Sequence, residues 1–261
     1  DWLKGWGSIP EAGKVKVAWN GEPIGFSRMT GQSELLLDTK AAYVHITSNE
    51  TIEGVELFDF PNTGAVPLVC DASSDFLARP LDVSRFGLLY AGAQKNAGAA
   101  GVTIVILSEA MLESAPADRF AMLSYKAQAA GKSMHNTPPC FSVYVVMLVT
   151  RWLRDTIGGL EAMSALNTRK AGIVYDAIAR SGGFYRAHAD RASRSEMNVT
   201  FRLPTPELEA RFCAEAEALR MVGLRGHRAF GGIRASLYNA LPLVSAHALA
   251  GFMADFAGRA G

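Results

Sequence analysis

Four short runs of β-branched and aliphatic residues in the first half of the chain constrain its fold most. Glycine, proline and aspartate residues separate these runs, and such runs are typical of strands buried on both faces. Because the connections between them are long, a mainly parallel sheet covered by helices is favoured over a sandwich. The predicted strands are Ala42–Thr47, Val66–Cys70, Leu88–Ala91 and Val102–Leu107.

The second half of the chain has the pattern of helices and a few short strands. Two long helices are predicted from Phe141 onward, separated by Gly158 and Gly159, with the second ending before Gly182. Predicted elements that follow are a strand at Met197–Leu203, a helix from Pro206, a strand at Ile233–Ser236 and a final helix. The sequence therefore predicts an α/β domain over residues 1–158 and a smaller α+β domain over residues 159–261.

Apolar residues at helical spacing predict which face of the last two helices is buried. For the helix from Pro206 they are Leu208, Phe212, Leu219 and Val222. For the final helix they are Val244, Ala248, Leu249, Phe252, Met253 and Phe256. Near the other end of the chain, Trp2 and Trp6 are expected to be partly buried packing or interface residues.

Composition excludes several classes of partner. With 261 residues and 49% hydrophobic content, the chain is long and apolar enough for a sizeable core. A formal net charge of +1 gives no field that would select nucleic acid or an anionic membrane surface. The richest apolar run, Phe141–Leu153, is too short to span a membrane. We therefore expect neither a nucleic-acid nor a membrane partner.

The three cysteines are Cys70, Cys140 and Cys213. They are odd in number and far apart, without the spacing of a zinc site or of a disulfide framework. A reducing compartment is therefore expected, namely the cytoplasm, and no metal site is predicted.

Lys95 is an unusual residue in its surroundings. It lies in YAGAQKNAGAAGVTIVIL, between two apolar runs and among alanine and glycine residues. Most loop lysines are simply solvated. Here the small neighbours leave room for a planar group against the backbone. A partly desolvated lysine has a lowered pKa and can attack an aldehyde to form a Schiff base, and the obvious aldehyde is pyridoxal 5'-phosphate.

Asp71 is the candidate acid for that cofactor. It follows the apolar run of VPLVCDASSD, where an unpaired carboxylate would be costly to bury. Pyridoxal phosphate needs a carboxylate opposite its ring nitrogen to keep the ring cationic. An ordinary aspartate capping a turn through Ser73 or Ser74 is an equally common interpretation of this position.

Several motifs resemble those of phosphoserine aminotransferases, pyridoxal-phosphate enzymes related to the cysteine desulfurases. They lie in the family's order between Thr47 and Pro242. The matching segments are SNETIEGVE, DASSDFLARPLDVSRFGLLYAGAQKN, AGAQKNAGAAGVTIVI, HNTPPCFSVY and GHRAFGGIRASLYNALP. The resemblance implies a fold-type I pyridoxal-phosphate transferase, an α/β fold with a mainly parallel sheet and a smaller C-terminal domain.

The resemblance also implies roles around the cofactor. Lys95 would form the Schiff base and later move the substrate's α-proton, Asp71 would pair with the pyridinium, and Thr51 would bond the phenolic oxygen. Gln94 would bind the cofactor phosphate. Asn136 and Thr137 would reach the phosphate in a neighbouring subunit, so a homodimer is implied.

A cationic substrate pocket is implied near the C-terminus. Arg234 would hold the substrate's α-carboxylate in a bidentate fork, while His227 and Arg228 would meet its phosphate or the distal carboxylate of glutamate. Without the resemblance, GHRAFGGIRAS would be interpreted as a solvated basic turn before an edge strand.

The implied activity is transamination between O-phospho-L-serine with 2-oxoglutarate and 3-phosphohydroxypyruvate with L-glutamate, in serine biosynthesis. Bacterial members also act on a phosphorylated hydroxythreonine in pyridoxine biosynthesis. The alternatives are another class-V pyridoxal-phosphate enzyme, or a catalytically silent fragment of this fold.

Two departures from the family accompany the resemblance. Ala99 stands where the family usually has proline. The family's N-terminal portion, with its phosphate loop, ring-stacking aromatic and His-Arg pair, has no counterpart here, so the chain is expected to be a truncation with an incomplete sheet and an exposed apolar edge.

Overall fold

A four-stranded sheet carries the first half of the fold in the computed structural model, which describes residues 14–260. The first six strands of the described chain are β1 Val44–Thr47, β2 Asn49–Glu50, β3 Val55–Glu56, β4 Leu68–Asp71, β5 Leu88–Gly92 and β6 Thr103–Leu107. Strands β1, β4, β5 and β6 form the four-stranded sheet in that order, and β1, β4 and β5 run parallel whereas β6 is antiparallel to β5. Strands β2 and β3 pair as a separate antiparallel hairpin. The prediction of a mainly parallel sheet is confirmed.

Burial of the strands on both faces is confirmed only for the middle of this sheet. Strands β4 and β5 are largely buried, but β6 leaves Val105 39% and Ile106 37% exposed. Strand β1 exposes His45. The prediction was wrong for these two strands because β1 and β6 lie at the edges, where packing covers less of each strand.

The two long helices predicted after Phe141 are confirmed. Helix α3 (Cys140–Trp152) continues into a π-helical turn at Leu153–Ile157, and helix α4 covers Leu160–Arg180. Gly158 and Gly159 separate them with φ angles of 93° and 104°, a conformation that favours glycine. Two short helices precede them, α1 (Glu109–Ser114) and α2 (Tyr125–Ala130).

A three-stranded antiparallel sheet and two helices complete the chain. The strands are β7 Arg186–Ala187, β8 Asn198–Arg202 and β9 Ile233–Ser236, with β8 in the middle. Helix α5 (Pro206–Ala218) begins where the Thr205 side chain accepts a hydrogen bond from the backbone of Leu208. Helix α6 covers Leu243–Ala260.

The prediction of which apolar residues are buried on α5 and α6 was wrong for four residues. Leu219 and Val222 lie beyond the end of α5 and are 59% and 73% exposed, while Val244 and Ala248 are exposed on α6. Apolar spacing alone does not show where a helix ends or how wide its buried stripe is. On α5, the predicted burial of Phe212 is confirmed, whereas Leu208 is only half-buried. On α6, burial is confirmed for the other four predicted residues, which are Leu249, Phe252, Met253 and Phe256.

Two apolar clusters hold the described chain together. One packs against the four-stranded sheet and includes Phe60, Phe86 and Leu89. The other fills the space between α4, α5, α6 and the second sheet, with Phe212 in its centre and the Phe256 ring 5.2 Å away. The domain boundary at residue 158 stays a prediction.

Among the described residues, no helix has both the length and the apolar composition to cross a membrane. The predicted burial of Trp2 and Trp6 concerns positions outside the described range.

Candidate active site

Lys95 lies in a tight turn that follows β5. The backbone N–H groups of Ala97 and Gly98 both donate to the carbonyl of Ala93 and close this turn. Its small residues are packed tightly: Ala93 is fully buried, and a Cβ atom on Gly98 would lie 2.8 Å from Cγ2 of Val146 on α3. Small side chains are therefore needed here because α3 packs closely against the turn. This packing holds Lys95 at the end of β5.

The amine of Lys95 is half-buried and bonded to a hydroxyl. Its Nζ donates to Oγ1 of Thr51 over 2.7 Å. Burial lowers the pKa of Lys95 from its ordinary value, and the nearby Arg234 lowers it further, while Asp71 opposes the shift. A lowered pKa increases the fraction of free amine, the nucleophilic form of lysine.

Asp71 is the last residue of β4, at the same end of the sheet as the lysine turn. In the strand register it lies opposite Thr47 on β1 and Tyr90 on β5. Its Oδ1 accepts a hydrogen bond from the backbone of Ser73 over 2.8 Å. The turn-capping contact is therefore present, and the carboxylate also lies close enough to Lys95 to act on its pKa.

Thr51 belongs to the turn between β2 and β3. Gly54 in this turn has a φ of +73°, and a Cβ atom there would lie 2.5 Å from the carbonyl oxygen of Asn198 on β8. The hairpin is thus pressed against the second sheet at Gly54. In the same turn, the hydroxyl of Thr51 meets the amine of Lys95.

Arg234 lies on β9, opposite Thr200 of β8. Its Nε atom is buried and has no hydrogen-bond partner within the described part of the chain. An unpaired, buried guanidinium N–H is costly, so this position suits an anionic ligand. The guanidinium lies close enough to Lys95 to lower the pKa of its amine.

His227 and Arg228 lie in the loop before β9. His227 is half-buried, its Nδ1 accepting from the backbone of Ala229, and Arg228 is exposed. Burial raises the pKa of the Glu53 carboxyl, and the nearby His188 and His227 oppose this. The loop therefore lies near Glu53, on the hairpin that carries Thr51.

The three remaining predicted residues, Gln94, Asn136 and Thr137, are exposed. Gln94 folds its side-chain amide over Gly92, where a Cβ atom would lie 2.5 Å from its oxygen. Asn136 donates to the carbonyl of Thr137 over 3.1 Å. In the described chain no hydrogen bond links any of the three to Lys95, Thr51 or Asp71, and their roles stay predictions.

Sequence reasoning missed several side chains close to the site. His188 packs edge-on against Phe230, with 4.6 Å between the ring centres, and Phe230 belongs to the loop that carries His227. His45 Nε2 lies 3.0 Å from the hydroxyl of Tyr90, the residue opposite Asp71. Only the strand register brings these residues to the site, so no local motif could have indicated them.

Comparison with known proteins decides the family. The model of the family described as Aminotransferase class-V matches residues 6–243. The chain is a class-V aminotransferase. The class-V family implied by the motifs is thereby confirmed.

Curated relatives of this class-V aminotransferase are phosphoserine aminotransferases. That of Herpetosiphon aurantiacus is 50% identical over 249 residues, covering 95% of this chain and 69% of the relative. That of Desulfosudis oleivorans is 52% identical over 242 residues, covering 93% and 66%. The chain therefore spans about two thirds of the length of these relatives.

Solved structures of phosphoserine aminotransferases share the fold. The enzyme of Bacillus circulans subsp. alkalophilus superposes with a TM-score of 0.94 at 47% identity, over 96% of this chain and 69% of that one. The pyridoxal-phosphate-bound enzyme of Trichomonas vaginalis gives a TM-score of 0.82 at 35% identity, over 87% and 64%. The α/β fold of type I is confirmed.

The residues of this class-V aminotransferase fit pyridoxal phosphate. A half-buried amine with a lowered pKa, a hydroxyl 2.7 Å from it and a carboxylate at the neighbouring strand end lie together. These are the groups that an aldehyde, a phenolic oxygen and a pyridine nitrogen require. Arg234 adds a guanidinium whose buried Nε has no partner in the described part of the chain, which suits an anionic group.

Proposed function

We propose that this class-V aminotransferase carries the catalytic groups of a phosphoserine transaminase. The reaction interconverts O-phospho-L-serine and 2-oxoglutarate with 3-phosphohydroxypyruvate and L-glutamate, as in serine biosynthesis. The observation that carries the proposal is the half-buried Lys95 amine beside Thr51, with Asp71 and Arg234 acting on its pKa. The phosphoserine aminotransferases at about half identity supply the reaction.

Lys95 is the proposed nucleophile and proton carrier. When bound, pyridoxal phosphate supplies an aldehyde for this amine and a cationic ring that withdraws electrons from the substrate's α-carbon. Once the substrate's amine has replaced it, the Lys95 amine would take the proton from the α-carbon as a base and then, as an acid, deliver it to the carbon of the former aldehyde. A pKa below the ordinary lysine value suits both steps.

Asp71, Thr51 and Gln94 are the other proposed cofactor ligands in this chain. Asp71 would keep a proton on the pyridine nitrogen, and Thr51 would orient the phenolic oxygen next to Lys95. Gln94 would bind the cofactor phosphate, and its side chain is exposed and so accessible to this group.

Three cationic or ionisable groups form the proposed substrate pocket. Arg234 would bind the α-carboxylate common to all amino acids, and its unpaired buried Nε supports this role. His227 and Arg228 would bind the phosphate of phosphoserine or the distal carboxylate of glutamate. Arg228 is exposed, so a bulky, doubly charged phosphate could reach it from solvent.

A homodimer with shared active sites is proposed, with Asn136 and Thr137 reaching the partner's cofactor phosphate. Their neighbours support an interface because Met134 is 66% and Phe141 75% exposed, an unusual state for large apolar side chains on a free surface. A cytoplasmic location is also proposed. Its support is that the three cysteines are free, as in a reducing compartment.

Reduction with borohydride tests the nucleophile directly. Purified chain is mixed with pyridoxal phosphate, its visible spectrum is recorded, and borohydride then makes the lysine–cofactor bond permanent before peptide mapping. Label on Lys95 is expected, and Lys95→Ala should carry none. Absence of label, or label spread over exposed lysines such as Lys40, would favour a catalytically silent fragment of the fold.

Substrate choice tests the reaction. Transamination of phosphoserine with 2-oxoglutarate is compared with that of serine and of alanine. Phosphoserine is expected to be preferred, because neither serine nor alanine has an anion for His227 and Arg228. Equal rates on the three amino acids would point to another class-V activity.

A further inference from the structure

Asn96, the residue directly after Lys95, is anchored to the second half of the chain. Its side chain is buried and its Oδ1 accepts the backbone N–H of Asn239 over 2.9 Å. Its Nδ2 points at the sulfur of Met197, 3.6 Å away. The lysine turn is thus tied on one side to β5, and on the other to the segment that follows β9.

The segment that receives Asn96 is itself held by helix α4. Lys170, fully buried, donates from Nζ to the carbonyl oxygens of Leu237 and Tyr238 over 2.9 and 2.8 Å. One helical turn earlier, Asn167 donates to Oδ1 of Asn239 over 2.9 Å. Both carbonyls and the Asn239 side chain are therefore fixed from one face of α4.

Asn239 also closes the contact back to the first half. Its Nδ2 donates to the carbonyl of Leu77 over 2.9 Å, and Asn167 donates to the carbonyl of Ala78 over 3.0 Å. Leu77 has a φ of +61°, an uncommon backbone conformation for a residue with a side chain. This segment follows Asp71, so the same cluster of amides joins the chain near Asp71, the lysine turn and the end of β9.

We propose that Asn96 is a positioning residue that sets the Lys95 amine relative to Arg234 and Thr51. Arg234 lies on β9, and three residues after it the chain enters the segment that binds Asn96. The backbone that carries the amine is therefore held to the backbone that carries the guanidinium. This inference rests on the proposed role of Lys95 as the nucleophile.

A buried hydrogen bond is needed for this purpose because the lysine side chain is long and has many rotamers. Thr51 fixes the amine itself, but it cannot fix the turn from which the side chain starts. With the Asn96 bond broken, the turn would keep its contacts with β5 and lose its register with β9. The Lys95 amine would then gain water, and this raises its pKa because burial is the largest cause of the lowered value. The charge effects of Arg234, which lowers the pKa, and of Asp71, Asp75 and Glu50, which raise it, would weaken together and largely offset one another.

Competitive labelling of the cofactor-free chain measures this effect. Lysines are labelled with a trace of acetic anhydride across a pH series, and mass spectrometry gives the labelling midpoint of the Lys95 peptide. In Asn96→Ala this midpoint is expected to rise by at least half a pH unit, about a threefold loss of free amine near neutral pH. Asn96→Ser keeps a shorter acceptor, so its Lys95 midpoint should lie between those of the wild type and Asn96→Ala. This variant also provides the test if Asn96→Ala fails to fold.

Asn167→Ala is the matched control, since it also truncates a buried asparagine of the cluster. It leaves the backbone N–H of Asn239 and both Lys170 bonds in place. Its melting temperature should therefore fall much as that of Asn96→Ala does, while the Lys95 midpoint stays at the wild-type value. A wild-type midpoint in Asn96→Ala, or equal shifts in both variants, would overturn the proposal.

The labelling result is independent of catalysis. A chain that carries no transaminase activity but shows the Asn96-dependent midpoint supports the positioning role and removes only the proposed reaction. An active chain whose Lys95 midpoint ignores Asn96 removes the positioning role and leaves the reaction standing.

Discussion

Thr51 accepts a hydrogen bond from the amine of Lys95 over 2.7 Å, although the two residues belong to separate loops. One loop is the turn of the β2–β3 hairpin and the other follows β5. The hydroxyl stabilises the charged form of the amine, whereas burial and Arg234 favour the neutral form. The reactivity of Lys95 is set by the difference between these opposing effects.

Thr51→Val should lower the labelling midpoint of Lys95 in the cofactor-free chain. The valine has a similar shape but leaves the ammonium without its acceptor, so the neutral amine becomes more favourable. A hydrogen bond to a charged group contributes about 1.5–3 kcal/mol when fully buried, and less at this half-exposed position. Thr51→Ser keeps the acceptor and should behave like the wild type. A midpoint that is unchanged or higher in Thr51→Val would show that Thr51 does not stabilise the ammonium.

Lys95→Ala should abolish transamination without unfolding the chain. General acid–base catalysis by a positioned side chain contributes about 10²–10⁴-fold, and the nucleophile is lost with it. The melting temperature should change little, because a half-buried cation with a lowered pKa contributes little net stability. Turnover of phosphoserine and thermal unfolding measure the two effects, with the exposed Lys40→Ala as control. Residual turnover above about a tenth of the wild-type rate would remove Lys95 from the mechanism.

The sequence predicts the sheet and the lysine turn well because both depend on local pattern. Apolar runs give the strands of the sheet to within two residues, and Gly158 with Gly159 marks the helix break correctly. The small residues around Lys95 are explained by tight packing against α3. Features that follow from spacing and side-chain size can therefore be predicted from the sequence alone.

The features that could not be predicted from the sequence depend on contacts between residues that are distant in the chain. The antiparallel, half-exposed β6 looks like a buried parallel strand when only its apolar residues are considered. Asn96 appears as a polar neighbour of Lys95, but its bond to Asn239 spans 143 residues. Likewise, the contact between His45 and Tyr90 depends on the order of β1, β4 and β5 in the sheet.

Arg228→Leu and Arg234→Leu should separate the two anionic groups of the substrate. Loss of Arg228 should raise the KM for phosphoserine by about 10- to 100-fold, the size of a charged hydrogen bond, and leave the KM for alanine unchanged, because alanine has no second anion. Loss of Arg234 should raise the KM of every amino acid, because all share the α-carboxylate. Steady-state kinetics on both substrates give the comparison. Equal losses on phosphoserine and alanine in Arg228→Leu would contradict a phosphate-binding role.

Glu56→Gln should make the stability of the chain less dependent on pH. Glu56 is buried, and burial raises its pKa to about 8 despite the backbone N–H of Glu196 and the Arg79 guanidinium, which both favour the charged form. Its folded pKa lies above the ordinary value of 4.5, so the folded state binds more protons between these two values. The free energy of unfolding therefore falls as the pH rises through this window. Asp75, with a pKa raised to about 6, contributes in the same direction at lower pH.

Because glutamine is neutral throughout, the stability of Glu56→Gln relative to the wild type should increase between about pH 5 and about pH 8, by at least about 1 kcal/mol. Urea unfolding of both proteins at several pH values measures this difference. Because both proteins contain Asp75, its contribution cancels to first order in the comparison. Glu217→Gln, which changes an exposed carboxyl on α5, should show no such trend. If the relative stability of Glu56→Gln stayed constant or fell with pH, Glu56 would be ionised in the folded chain throughout, with Arg79 compensating its burial.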